Sequence, residues 1–249
     1  MSDINENPSP ASGTPASKEK YSVFNAMVDI IASPMRALDE IREHTGWLWI
    51  PLFLGLGVSC ASFTYYFHWV DFDWLTEQTI QAMPVEQRAE AAPQVRSFMT
   101  PILSSTFAIT AIVVVSLVLY TLFAAYYHLV AKMSTQAELR YGQWFSLNVW
   151  ASFPGIFNAI APFVVILLAD SNQLGQDQLT PLSLNQLFIG AEPGDPWFNW
   201  ANSTNLLQLW TTALAGLGFA RWTDSSLLKG MLVAFIPLVL IYGIWAALV

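Results

Sequence analysis

From residue 45 onward the chain alternates between long apolar runs and short polar interruptions. Apolar residues fill roughly 46–67, 102–131, 145–169, 204–221 and 229–249. Each run holds about 18–30 residues, and about 20 suffice to cross a hydrocarbon core of about 30 Å. The fourth run is the most polar, with Asn205, Gln208, Thr211 and Thr212, groups that a spanning helix can turn toward its neighbours. The pattern predicts an all-α, polytopic membrane bundle of about five transmembrane helices.

Ahead of the first run, Val23, Phe24, Met27, Ile30, Ile31, Met35, Leu38 and Ile41 recur at three- and four-residue steps. That is the period of an amphipathic helix. Ser33-Pro34 marks a break and restart, with Ser33 as N-cap and Pro34 at the first helical position. The expectation is two short interfacial helices in the headgroup plane, apolar face down. Residues 1–20 are rich in Ser, Pro, Asn and Ala and bury too little to order. They read as a disordered cytoplasmic tail, without the apolar core of a cleaved signal peptide.

Basic residues orient the bundle. With the N-terminus cytoplasmic, Lys18, Lys20, Arg36, Arg42, Lys132, Arg140, Arg221 and Lys229 lie inside, and only Arg88 and Arg96 outside. Five spans then place Val249 outside, with the two long loops, 68–101 and 170–203, on that same side. Trp197 and Trp200 end the second loop, where a headgroup-level aromatic belt is expected.

Composition sharpens this picture in one direction. The 249 residues are 54% hydrophobic and 11% charged, against about 25% charged in soluble domains, so water cannot solvate the whole surface. A net charge of −8 without a basic patch argues against nucleic acid. The one cysteine, Cys60, permits neither an internal disulfide nor a thiolate metal cluster.

Polar or helix-breaking groups inside a membrane are the candidates for function. In the third run Trp150, Pro154, Asn158 and Pro162 are spaced by four and so share a face. The prolines free the carbonyls of Trp150 and Asn158. This face is either a hinge or polar pocket, or a bent helix whose loose groups are tied up by neighbours. Small residues at the same spacing mark a candidate packing seam: Gly55 and Ser59; Thr212, Gly216 and Ala220; Gly243 and Ala247. That seam can close within one chain or between copies. His128 is the one histidine inside a run and reads as an interface anchor beside Lys132.

Gly57-Val58-Ser59-Cys60 matches a rhomboid-type G-x-S-G only in part, lacking the second glycine. No metalloprotease or intramembrane aspartate pair is present either, and no catalytic, cofactor or metal site is expected. No acidic residue lies deep in a run, so the broken third helix is what keeps a transporter or channel as the alternative.

Ser33-Pro34-Met35-Arg36 through Glu43, then Lys132, Tyr141-Gly142-Gln143, Asn148 and Ser152-Phe153-Pro154, resemble the Yip-type (Rab/Ypt-interacting) integral membrane family over residues 21–249. The longer cytosolic region and the Asp-Leu-x-Gly-Pro signature of eukaryotic members are missing, which points to a bacterial inner-membrane member. The resemblance implies a non-enzymatic scaffold or accessory protein of a transport or membrane-trafficking complex, with lipid and a protein partner or second copy around it.

Overall fold

The computed structural model describes residues 21–249, and the tail expected over 1–20 lies outside the described residues. Eleven α-helices follow in order: α1 Val23–Ala32, α2 Pro34–Glu43, α3 Trp49–Trp69, α4 Phe72–Gln81, α5 Val85–Phe98, α6 Pro101–Ser134, α7 Tyr141–Ser152, α8 Ile156–Leu168, α9 Phe198–Ser203, α10 Leu206–Trp222 and α11 Leu227–Leu248.

Four stretches are long and apolar enough to cross a membrane: Thr45–Trp69, α6, Tyr141–Leu168 and α11. The protein is a multi-pass, all-α membrane bundle. By length the count is four rather than the expected five, because the fourth run forms α10, a helix of 17 residues. Asn205 sets its start, the side-chain oxygen accepting the Gln208 N–H at 3.0 Å. A turn through Asp224, whose φ is +50°, follows its end. At 1.5 Å per residue α10 is about 26 Å long. It runs antiparallel to α11, with Gly216 against Gly230 near one end and Gln208 bonded to Tyr242 near the other.

The first two helices also differ from expectation. Ser22, not Ser33, is the side-chain cap: its hydroxyl accepts from the Asn25 N–H, and the Asn25 side chain accepts from the Ser22 N–H. Ser33 makes no side-chain cap, and its N–H closes α1 on the Asp29 carbonyl at 2.7 Å. Ala26, Ile30, Ala37, Leu38 and Ile41 are fully buried in a core with Trp144, Leu147, Trp150, Phe219 and Trp222. The hairpin is thus docked on the bundle through the face that was expected to meet lipid. α1 is apolar on two sides, and Phe24 and Val28 on the other are 69% and 64% exposed.

Two cores sit at opposite ends. The first, just named, gathers α1, α2, α6, α7, α10 and α11. It is locked by the Trp222 indole N–H on the Leu38 carbonyl (2.9 Å) and by Lys229 on the Ser134 carbonyl (2.5 Å). The second joins Tyr66, Phe67, Leu75, Leu174 and Leu179. There the Tyr66 hydroxyl donates to the Leu174 carbonyl (2.7 Å), and the Asp71 N–H to that of Asn172 (2.8 Å). Both long loops therefore lie at one end. α6, with 34 residues, is about 51 Å long and extends past any bilayer core.

Candidate functional site: a polar chain beside the broken third span

The third span changes where its prolines predict a break, by a single 3-10 turn within one continuous helical path. α7 stops at Ser152, a 3-10 turn covers Phe153–Gly155, and α8 restarts at Ile156. The Trp150 carbonyl, which Pro154 cannot reach, accepts the Phe153 N–H instead. Three residues turning 120° each rather than 100° rotate the register by about 60°. The face expected to unite the four residues is divided accordingly. Trp150 and Pro154 are fully buried in the inner part of the bundle, while Pro162 is buried farther along in α8. Asn158 turns toward α10, its amide donating to the Asn205 side-chain oxygen at 3.2 Å.

Asn158 opens a chain of hydrogen bonds that ties α8, α9, α10 and α11 together. The same Asn205 oxygen accepts the Gln208 N–H, the Gln208 amide donates to the Tyr242 hydroxyl (3.0 Å), and that hydroxyl donates to the Ser203 carbonyl (3.1 Å). The Gln208 carbonyl takes the hydroxyls of Thr211 (3.1 Å) and Thr212 (2.7 Å). Tyr242 was not foreseen. A tyrosine near the end of an apolar run looks like a belt residue, and its partner is 34 positions away in sequence.

Below this chain lies a cavity of about 200 Å³, lined by Asn148, Gln208, Thr211 and Thr212 with Tyr120 and Ser152. A second, of about 160 Å³, begins on the other side of Tyr120 and Ser152 and is bordered by Gly55, Ser59 and Ser116. Neither is lined by an acidic or basic side chain. Such walls suit water or a small neutral polar molecule and offer no strong acid or base for catalysis. Among the described residues no group of three or more His, Cys, Asp or Glu could hold a metal ion.

The small residues have different fates. A Cβ on Gly216 would stand 3.0 Å from the Gly230 carbonyl oxygen, and one on Gly230 would press on Gly216 and on Ala220 in turn. Gly216 and Ala220 thus form the α10–α11 contact, with Gly230, which the four-residue spacing missed. Thr212 lines the first cavity, and Gly55 and Ser59 border the second, the Ser59 hydroxyl bonding back to the Gly55 carbonyl at 2.9 Å. Gly243 and Ala247 are exposed and touch nothing within the chain that a side chain at Gly243 would meet.

Outside the spans, two carboxylates fasten elements together. Asp39 on α2 makes a two-pronged bond to Arg221 of α10 (2.8 and 2.9 Å). The guanidinium hydrogen bond holds its carboxyl below the ordinary carboxylate range. Beside the second core Asp71 accepts the Trp74 N–H (3.0 Å) and the Gln173 amide (3.2 Å), and these lower its pKa in that order.

The model of the Yip1 domain matches residues 28–248, from the middle of α1 to the end of α11. The chain belongs to the Yip1 family. No curated protein and no solved structure matches it. Within this Yip1 domain several positions that carried the resemblance lie at or beside the first core. Ser33–Glu43 forms α2 with its cap, and Gln143 bridges to it, its amide donating to the Arg42 carbonyl (3.4 Å) while its oxygen accepts the Arg140 N–H (3.0 Å). Asn148 donates to the Trp144 carbonyl at 2.9 Å and borders the first cavity. Gln143 therefore links α2 of the N-terminal hairpin to α7 of the third span.

Proposed function

We propose that this Yip1 protein is a non-enzymatic membrane scaffold or accessory subunit, with its N-terminus cytoplasmic and Val249 outside. In this reading α10 crosses together with α11, giving five crossings, and the membrane is a bacterial inner membrane. The observation that carries it is the unburied flank of the bundle. The most apolar stretches of α6 and α11 are 6% and 11% buried within the chain, although α6 is the longest helix. Lipid covers such a flank in a monomer, and a partner subunit of a transport or trafficking complex, or a second copy, covers it in an assembly. The Yip1 family is not known for enzymatic activity, which agrees with this role. Purification in mild detergent, of the full chain and of chains lacking 21–44 or 68–101, tests it. Stoichiometric co-purification of a partner that a deletion abolishes is the expected result, and a strictly solitary protein contradicts it.

A second reading has its own support in the two cavities beside the polar chain. Under it the chain passes a small neutral solute along the Asn158–Gln208 side of the third span. Flux in reconstituted vesicles that is unchanged in a folded Asn158→Leu variant removes that path.

A further inference from the structure

At the outer end, away from the spans, a cleft of about 850 Å³ opens between α4, the loop 173–180 and α9. Its size falls in the range of about 300–1,000 Å³ typical of small-molecule sites. Side-chain amides dominate its polar wall: Gln78 and Gln81 on α4, Gln176 on the loop, Asn199 and Asn202 on α9. None of these five amides has a hydrogen-bond partner among the described residues. Gln178 is engaged with the Gly175 N–H (3.1 Å), and Gln173 with Asp71. Gln78, Gln81, Gln176 and Asn199 are exposed and present free amides to the cleft, whereas both amide atoms of Asn202 are shielded from solvent and lie behind its wall. The Asn202 amide, buried and unpaired, calls for an ordered water, and the four exposed amides are the groups a ligand can reach.

The rest of the lining narrows the ligand class. Trp74 and Phe198 supply two half-buried aromatic rings. The charged residues are Asp177 and Glu192, and no Lys, Arg or His borders the cleft, so an anionic ligand is repelled. An amide carries a donor and an acceptor side by side, which is what two neighbouring hydroxyls require. An aromatic face covers the apolar C–H side of a sugar ring. A peptide has less to hold it: the described residues here offer helices and loops, with one isolated bridge, Ser183 to Asn205, and no strand edge for an extended chain to join. The cleft also continues. A hollow of about 510 Å³ shares Glu192 and Pro193 with it and ends at the exposed Trp197. That length suits several linked rings rather than one.

We propose that this outer cleft binds a neutral oligosaccharide chain, held by the exposed amides of Gln78, Gln81, Gln176 and Asn199 and stacked on Trp74 and Phe198. The proposal rests on the lining alone and does not depend on the scaffold reading. It is tested with the full chain in lipid nanodiscs prepared without glucoside or maltoside detergents, which carry sugars themselves. Maltotriose and chitotriose are titrated separately by calorimetry, with tri-alanine as the peptide arm. At least one trisaccharide is expected to bind saturably with Kd below about 10 mM. The affinity drops at least about tenfold in Gln78→Ala/Asn199→Ala, and stays unchanged in Glu138→Gln at the opposite end. Gln78→Ala alone, which removes one amide donor and acceptor, gives a smaller loss in the same direction and serves if the double variant fails to fold. The idea is overturned if neither trisaccharide saturates, if the cleft variants bind as the parent does, or if tri-alanine binds more tightly than both sugars.

Discussion

Two glycines on one helix should respond in opposite ways to the same added methyl group. Gly230 lies where α11 crosses α10. A Cβ there would stand 2.7 Å from that of Ala220 and closer still to the Gly216 carbonyl oxygen. The obstacle is backbone and a methyl, not the end of a flexible chain, so the helices must part along the seam. Overpacking of that kind costs about 1–3 kcal/mol. Replacing a helical glycine by alanine returns about 0.5–1 kcal/mol of backbone entropy. The difference of those two effects is about 0–2.5 kcal/mol, and because the obstacle is backbone, Gly230→Ala is destabilising toward the upper end of that range. At Gly243 the added Cβ meets nothing within 4 Å, so only the entropic gain is left and Gly243→Ala is neutral to stabilising. Reversible unfolding of the two variants and the parent in one mild detergent measures both signs. A Gly230→Ala protein as stable as the parent would show that α10 and α11 do not touch there.

Three further outcomes follow from the packing and the charges. Leu38 is fully buried with its methyl 3.1 Å from where a Gly218 side chain would begin, so Leu38→Ala costs about 2–5 kcal/mol. Limited proteolysis should then cut within 22–43 before it cuts any span. Asp39 is held below its ordinary pKa by Arg221, so its bond is intact above the usual carboxylate value of about 3.9 and is lost as pH falls through the lower folded value. Hydrogen exchange in α2 should speed up over that acid window in the parent, and Asp39→Asn should show the faster exchange already at neutral pH. Breaking the Asn158–Asn205 bond by Asn158→Leu should destabilise by about 0.6 kcal/mol, the mean for polar pairs between membrane helices. A double-mutant cycle with Asn205→Ala reads that pair alone, and a coupling of zero denies the bond.

The architecture was legible because hydropathy is a local property. Apolar runs foretold the helices, and Pro154 foretold the break in the third span. The count of spans was less legible. Asn205 looked like one polar residue inside a run, yet it caps α10 and cuts the helix to 17 residues. The N-terminal hairpin was misplaced for a related reason. An amphipathic period says that one face is apolar but not whether lipid or protein covers it, and here Trp144, Phe219 and Trp222, all far away in sequence, cover it. At the candidate site, helical spacing joined Trp150 to Asn158, but the 3-10 turn between them rotates the two apart. The partners of Asn158 come from α10 and α11 and leave no periodic trace. The outer cleft was unreadable for the same reason, since its amides come from α4, α9 and a loop that only the fold brings together.

Side-by-side placement of the two long loops, opposite the docked N-terminal hairpin, is what the scaffold role and the outer cleft both require. Single cysteines at Gln81, Asn199, Glu138 and Ser225, in a chain with Cys60→Ala, can be probed in intact cells with a membrane-impermeant maleimide. Gln81 and Asn199 positions should be labelled directly, and Glu138 and Ser225 positions only after permeabilisation. Labelling of Ser225 from outside would mean that α10 does not cross. Opposite behaviour at Gln81 and Asn199 would break the arrangement altogether.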